Sequence, residues 1–146
     1  MLGRETYDLK EMTRALIVQV TNQTYHTLRT KKFQFDSGVL RKSTHAEIRP
    51  NSIATYSFSN RQGGWMTGLS GEMYLEGGGK DVCIGFSNPY SGGYKGYTIV
   101  ARRLKPEDWS AWYEMDDTHP QSSSHVKTTY DTTTNPPLYS VFLRNW

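Results

Sequence analysis

Apolar and polar side chains alternate along most of the chain after residue 14. Within residues 27–35, Phe33 and Phe35 flank a single polar residue, and this period of two is typical of a β-strand with one buried face. Strands are predicted over residues 15–22, 27–35, 53–60, 69–76, 81–87, 96–104 and 138–145, with a shorter one over 126–130. The pattern therefore predicts a mainly β protein.

Three consecutive glycines at residues 77–79 separate two of these strands. Glycine adopts positive φ readily, so residues 77–80 predict a tight β-hairpin. A phosphate loop would need a following Lys-Ser/Thr pair and a helix, which the sequence lacks. Cys83 is the one cysteine and lies among apolar residues, so we predict a buried, inert thiol. Tyr56, Tyr74 and Phe86 are interpreted as core or sheet-face residues.

Residues 105–117 have a different pattern. Pro106 suits a first helical turn, the acidic residues that follow it complement the positive end of a helix, and Trp109, Trp112 and Tyr113 fall on one face. We predict a short helix there, followed by a Ser/Thr/Pro-rich loop. Many strands with one or two short helices indicate a β-sandwich.

Length and charge narrow the class of protein. A chain of 146 residues has the size of one domain, which we predict over residues 1–146, and can bury about 68–70% of its unfolded surface. The net charge is +3, and the basic residues are too scattered for a nucleic-acid partner. The sequence contains neither the ~7–15-residue apolar segment of a secretory signal nor the ~18 apolar residues of a membrane-spanning helix. A soluble chain is expected, with its localisation and oligomeric state left open.

Catalysis has little support in the sequence. No zinc-site spacing relates the histidines, which are His26, His45, His119 and His125. Ser70 lacks the glycine spacing of a nucleophile elbow, and Asp116 and Asp117 are adjacent, so their side chains diverge on a helix. We predict no enzyme activity, no cofactor and no metal. Asn22 begins a glycosylation motif that matters only if the chain is secreted.

Aromatic residues follow the strand at 81–87. Pro89 and Gly92 interrupt regular structure, so Tyr90, Tyr94 and Tyr97 are predicted on or beside a loop. Such rings suit a ligand cage, because a quaternary ammonium cannot donate ordinary hydrogen bonds and is held by aromatic faces at about 0.5–2 kcal/mol each.

A second aromatic group is supplied by the predicted helix through Trp109, Trp112 and Tyr113. Trp109 and Trp112 have the alternative of packing the helix against the sheet. A phosphate attached to the ammonium would need hydroxyl or backbone donors. Donors of the right type are Ser37, Gly38 and Ser87.

Several segments together resemble the actinoporin-like family, the β-sandwich cytolysins of sea anemones, which share a fold with the fungal fruit-body lectins. The segments are residues 15–24, Ser37-Gly38, residues 67–90 and residues 109–114, and the strongest is the sequence FSNPY at 86–90. The resemblance implies an actinoporin-like β-sandwich.

The resemblance also implies a ligand, the phosphocholine headgroup of sphingomyelin. In the family this headgroup is held by a serine and proline of an FS-x-PY segment, by aromatic residues of the following loop, by a serine before a glycine and by tyrosines of the second helix. The matching positions here are Ser37, Ser87, Pro89, Tyr90, Tyr94, Tyr97, Trp109 and Tyr113. Trp65 and Trp112 are predicted to contact the membrane.

Two expectations remain about activity. Actinoporins carry a long amphipathic segment before the first core strand, whereas about a dozen residues precede Ala15 here. A helix of ~12 residues is ~18 Å long, which is shorter than the ~30 Å hydrocarbon core of a membrane. We therefore expect membrane binding with weak or no pore formation. The alternative is a lectin similar to the fungal proteins, binding cell-surface glycans through the same loops, and an inert protein-binding domain is a third class.

Overall fold

Ten β-strands form from the residues that this computed structural model describes, which are 14–44, 46–61, 67–90, 93–102 and 122–146. In chain order the strands are β1 (Ala15–Gln23), β2 (Leu28–Ser37), β3 (Val39–Ser43), β4 (Glu47–Ile48), β5 (Ser52–Ser59), β6 (Leu69–Gly77), β7 (Lys80–Asn88), β8 (Lys95–Ala101), β9 (Val126–Asp131) and β10 (Leu138–Arg144). Every predicted strand overlaps one of them. The predicted helix over residues 105–117 lies outside the described residues.

The strands form two five-stranded sheets. The first sheet has the order β3-β5-β1-β10-β9 and the second has the order β4-β2-β6-β7-β8. All pairings are antiparallel except that of β1 with β10, which is parallel. Each sheet presents one apolar face to the other, so the predicted β-sandwich is confirmed.

The core lies between the two sheets. Phe58 of the first sheet stacks on Phe86 of the second with ring centroids 4.1 Å apart, and both side chains are buried. Tyr56 is also fully buried and its hydroxyl lies 3.4 Å from Thr30 Oγ1; burial raises the pKa of this phenol. Burying each large apolar side chain contributes about 1.5–3 kcal/mol. The predicted core placement of Tyr56 and Phe86 is confirmed.

The hairpin at residues 77–80 has the predicted form. Gly77 pairs with Lys80, and Gly78 and Gly79 between them have φ values of 57° and 75°. Positive φ at both central residues is what a tight hairpin needs if its strands are to keep the right-handed twist. The turn fixes the register of β6 against β7 and therefore which side chains meet at the other end of the hairpin.

Two strands were missed by the sequence pattern. β3 and β4 lie at the edges of their sheets, and they span only five and two residues. Arg41 and Lys42 in β3 break the apolar alternation. Edge strands are commonly short and charged because that discourages pairing with other chains, and the same features remove the signal by which a strand is recognised.

Asn22 is not available for glycosylation in this fold. Its side chain is fully buried, and its Nδ2 donates to the carbonyl oxygens of His26 at 2.7 Å and Ile48 at 2.8 Å. Its Oδ1 accepts from the backbone N–H and the hydroxyl of Thr24. The glycosylation motif is therefore a structural element that closes the loop between β1 and β2.

Candidate functional site

Three serines lie side by side where β2 and β7 end and β6 begins. Ser37 pairs with Ser70, Ser70 pairs with Ser87, and Ser87 pairs with Lys95 at the start of β8. Side chains alternate along a strand, and Phe86 and Asn88 on either side of Ser87 are buried, so this serine row lies on the outer face of the second sheet. Two strand spacings, about 10 Å, separate Ser37 from Ser87.

The first serine is fixed by its neighbours. Ser37 Oγ donates a 2.8 Å hydrogen bond to the carbonyl of Gly68. Gly38 has a φ of 112°, and a Cβ there would lie 2.6 Å from Leu69 Cδ1 and 2.8 Å from the Ser59 carbonyl oxygen. Only glycine fits this position. Because the hydroxyl proton is engaged, Ser37 offers a ligand its acceptor lone pairs rather than the donor that the sequence suggested.

The segment from Asn88 to Tyr90 is held against the sandwich end. Asn88 is buried and its Nδ2 donates to the Ala15 carbonyl at 2.8 Å, which joins the second sheet to the start of β1. A Cβ on Gly68 would lie 2.8 Å from both Pro89 Cα and the Tyr90 nitrogen. The missing side chain lets the two backbones touch, so Pro89 and Tyr90 are positioned by main chain.

The ring of Tyr90 already contacts a positively charged side chain of the same protein. Its side chain is 47% exposed, and the Arg14 guanidinium carbon lies 5.4 Å from its ring centroid. Arg14 Nη2 also donates to the Tyr90 carbonyl at 3.2 Å, and the Arg14 backbone exchanges hydrogen bonds with Asn60. The ring therefore lies in a fixed position with one side near a positive charge.

A pocket of about 200 Å³ opens beside the serine row. It is lined by Phe35, Asp36, Ser37, Gly38, Arg61 and Thr67. Asp36 and Arg61 put opposite charges on its walls, and Phe35 adds an aromatic ring. A small pocket with both signs of charge suits a zwitterionic group better than a neutral or purely anionic one.

Tyr94 and Tyr97 are placed differently from Tyr90. Tyr94 stacks on Tyr130 with centroids 6.1 Å apart, and Tyr130 stacks on the buried Tyr139 at 4.9 Å. Tyr97 lies near the start of β8, as the strand predicted over residues 96–104 implied, with its ring over Gly85, where a Cβ would be 2.0 Å from Tyr97 Cζ. β8 starts at Lys95, one residue before the predicted strand, and Gly96 is accommodated as a buried strand residue against Tyr139.

Titratable side chains fill the middle of this outer face. The Tyr74 hydroxyl donates to the Glu72 carboxylate, and Cys83 Sγ lies 4.0 Å from Glu72 Oε2. Burial raises the pKa of Glu72 and raises that of Cys83 to about 12; the pKa values of Tyr74 and Tyr97 are raised by the same cause. Cys83 is buried, as predicted. A thiol with so high a pKa is a poor nucleophile at neutral pH.

Four of the predicted site residues, Trp65, Trp109, Trp112 and Tyr113, lie outside the described residues. Within the described ranges, no group of three or more His, Cys, Asp or Glu side chains is arranged to hold a metal ion. Nor does that part of the chain contain a helix long and apolar enough to cross a membrane. Of the predicted site residues that the structure describes, Ser37, Gly38, Ser87, Pro89 and Tyr90 lie at this end of the second sheet, and Tyr94 directly precedes Lys95 at the start of β8.

This end of the β-sandwich therefore carries hydroxyls, an exposed aromatic ring and side chains of both charges. The fold is similar to that in the crystal structure of the lipid binding protein Nakanori, with a TM-score of 0.65 and 15% sequence identity over 95% of this chain and 74% of that one. No family model and no curated protein matches the chain. The likeness shows a shared fold, in agreement with the sandwich that the actinoporin resemblance implied.

Four residues of this end were missed by sequence reasoning. Ser70 had a usable signal, because counting seven residues back from Gly77 and seven forward from Lys80 brings Ser70 opposite Ser87. Arg14, Asp36 and Arg61 had no such signal in the sequence, since their approach to the site depends on how the two sheets pack.

Proposed function

We propose that this chain is a non-enzymatic protein that binds phosphocholine-type lipid headgroups at a membrane surface. The observation that carries the proposal is the meeting of Ser37, Ser87, Pro89 and Tyr90 at one end of the second sheet, beside a pocket with walls of opposite charge. The name of the structural neighbour, a lipid binding protein, supports a lipid as the class of ligand.

Phosphocholine pairs one positive group with one negative group, and the site offers partners for each. The trimethylammonium would lie against aromatic faces, Tyr90 and Phe35, with Asp36 as the nearby negative charge. The phosphate would accept hydrogen bonds from Arg61 or Arg14, since guanidinium groups bind phosphate oxygens through two parallel N–H donors. The Ser87 hydroxyl would donate to the phosphate, and the acceptor lone pairs of Ser37 would face the trimethylammonium.

The remaining predicted residues have supporting roles in this proposal. Tyr94 lies in the stack with Tyr130 and would contribute a ring edge to the ligand. Tyr97 lies over Gly85 and would support the serine row from the neighbouring strand. We keep Trp109 and Tyr113 as predicted ligand contacts, and Trp65 and Trp112 as predicted membrane contacts.

A glycan is the second candidate ligand, and the serine row favours it. Three adjacent hydroxyls next to an exposed aromatic ring are what a sugar needs for its hydroxyls and its C–H face. The charges of Asp36 and Arg61 favour the lipid headgroup, because a neutral sugar gains less from them than their desolvation costs.

Co-sedimentation with dye-loaded vesicles tests the proposal. Vesicles that contain sphingomyelin or phosphatidylcholine should bind the protein, and vesicles in which ethanolamine replaces choline should bind at least tenfold less. Tyr90→Ala should weaken binding about tenfold, because one desolvated cation–π contact is worth up to about 2 kcal/mol. Dye release in the same tube reports any pore formation.

Tyr25→Ala is the matched control. Tyr25 is 91% exposed, and its backbone N–H donates to Trp146 at the opposite end of the sandwich. It should leave binding unchanged. Equal losses in the two variants would show that exposed tyrosines bind membranes without a site. Binding to a glycan array, with none to any vesicle, would replace the lipid by a sugar.

A further inference from the structure

A second cleft lies at the opposite end of the same sheet. It has a volume of about 410 Å³ and lies beside the β6–β7 turn, with Arg29, Glu76, Lys80, Asp81 and Arg102 as its charged walls. We call it the hairpin cleft. Glu76 lies six positions after Ser70 of the serine row in β6, a distance of about 20 Å, so the two sites share strands but not side chains.

The two carboxylates of the cleft are already neutralised. Arg29 Nη2 lies 2.6 Å from Glu76 Oε1, and Lys31 Nζ lies 3.6 Å from Glu76 and 3.7 Å from Asp81. Neither Lys80 nor Arg102 forms an ion pair with any other residue that the structure describes. Counted over the described residues alone, the cleft therefore has two cations in excess, Lys80 and Arg102, which attract an anion.

These two cations are adjacent, and the turn beside Lys80 is held in place. Asp81 pairs with Ala101, which brings Lys80 next to Arg102 across neighbouring strands, about 5 Å apart. The turn beside them is held because Trp146 Nε1 donates to the Gly77 carbonyl at 3.1 Å. A Cβ on Gly78 would lie 2.3 Å from the His26 ring, so the turn packs closely on its neighbour. The backbone of the turn is therefore already in place when an anion binds.

We propose that the hairpin cleft binds a sulfate or phosphate ester group carried by a soluble polyanion, of which a sulfated glycan is the chemical type. Lys80 and Arg102 would contact the anionic oxygens, and the hydroxyl of Thr27, which also lines the cleft, would donate a further hydrogen bond. A protein with both sites would join a polyanion to the surface that the serine row binds.

The choice of a soluble polyanion rests on the proposed function. When the serine row and Tyr90 meet a bilayer, a cleft about 20 Å away at the other end of the strands faces the solution. Anionic lipid of the same bilayer is then out of reach, because charges more than about 10 Å apart are largely screened at 0.1 M salt.

The test measures binding of a heparin-derived sulfated oligosaccharide by calorimetry at about 0.1 M salt. The double variant Lys80→Gln, Arg102→Gln should bind about tenfold more weakly, since each exposed ionic contact is worth up to about fivefold. The control removes the same charge elsewhere through Lys42→Gln and Lys127→Gln, two exposed lysines of the first sheet, and should lose less than twofold. Equal losses in both double variants would overturn the proposal, as would equal binding of the desulfated oligosaccharide.

Two further measurements separate this proposal from the proposed function. Tyr90→Ala should leave oligosaccharide binding unchanged, and the Lys80, Arg102 double variant should leave binding to sphingomyelin vesicles unchanged. If that double variant instead loses binding to vesicles containing phosphatidylserine and keeps the oligosaccharide, the anionic group belongs to a lipid and the soluble polyanion is wrong. Failure of the wild-type protein to bind any vesicle bears on the serine row alone.

Discussion

The two ends of the second sheet are built from the same three strands, β2, β6 and β7, yet they differ in chemistry. One end has the serine row with Tyr90 and Pro89. The other has the glycine turn and the ion pairs of Arg29, Lys31, Glu76 and Asp81. Because side chains repeat every second residue on one face, a single strand delivers a serine at one end and a glutamate at the other.

The middle of this face separates the two ends. Glu72, Tyr74 and Cys83 lie between them and are wholly or partly buried, with the Tyr74 hydroxyl bonded to Glu72. A buried, hydrogen-bonded middle stops the two ends from sharing solvent-exposed charges. The type of side chain on this face therefore changes along the length of the strands rather than from one strand to the next. A substitution at one end can leave the other end unchanged.

The largest expected effect concerns the reactivity of Cys83, in the buried middle of the outer face of the second sheet. The pKa of Cys83 is raised by burial from about 9 to about 12, so its thiolate fraction at neutral pH falls about a thousandfold. Reaction with an aromatic disulfide reagent should be at least that much slower in the native protein than in urea. The unfolded thiol ionises first, so the free energy of unfolding should fall as pH rises from about 9 towards 12. Fast labelling of Cys83 in the native protein would show that the middle of this face is open to solvent and does not separate the two ends.

The next effect compares two glycines with positive φ. Gly38→Ala should lower the free energy of unfolding by about 3 kcal/mol, because the new Cβ meets the Ser59 carbonyl at 2.8 Å and φ is 112°. Gly79→Ala should lower it by about 1 kcal/mol, since φ is 75° and no atom lies within 4 Å of the new Cβ. Urea unfolding measures both. Equal effects would mean that the serine-row end is no more tightly packed than the turn.

Much of the fold was predictable because its signals are local. Alternation located most of the strands, and the glycines at 78 and 79 located the turn, since positive φ depends on the residue itself. β3 and β4 were missed because edge strands need little apolar surface. The strand that contains Tyr97 was predicted, but the packing of its ring was not, because that packing depends on Gly85 of the neighbouring strand, whose missing side chain makes room for the ring.

The candidate site was less predictable because it is assembled across strands. Ser87, Pro89 and Tyr90 stand together in the sequence and in the structure. Ser70 joins them only through the hairpin register, and Arg14 reaches Tyr90 across 76 residues of chain. Contacts of that kind depend on tertiary packing, which no local pattern specifies.

A smaller effect distinguishes the two tyrosines of the serine-row end. Tyr94→Leu should lower the free energy of unfolding by about 1 kcal/mol because it removes a stacked ring from Tyr130. Tyr90→Leu should change it by less than about 0.5 kcal/mol, since nearly half of Tyr90 is exposed and leucine keeps the apolar part of the side chain. Vesicle affinity should rank the other way, with the larger loss for Tyr90. If Tyr90→Leu gave the larger loss in both measurements, Tyr90 would be a structural residue.

The smallest effect on stability is expected at the hairpin cleft. Glu76→Gln removes the carboxylate that Arg29 and Lys31 share, and because these side chains are exposed the free energy of unfolding should change by only about 0.5 kcal/mol. The same change frees Arg29 to contact an anion, so the affinity for the sulfated oligosaccharide should rise about threefold. Arg29→Gln is the matched variant and should lower that affinity or leave it unchanged. If Glu76→Gln weakens oligosaccharide binding, the carboxylate orders the cations of the cleft rather than competing with the ligand for them.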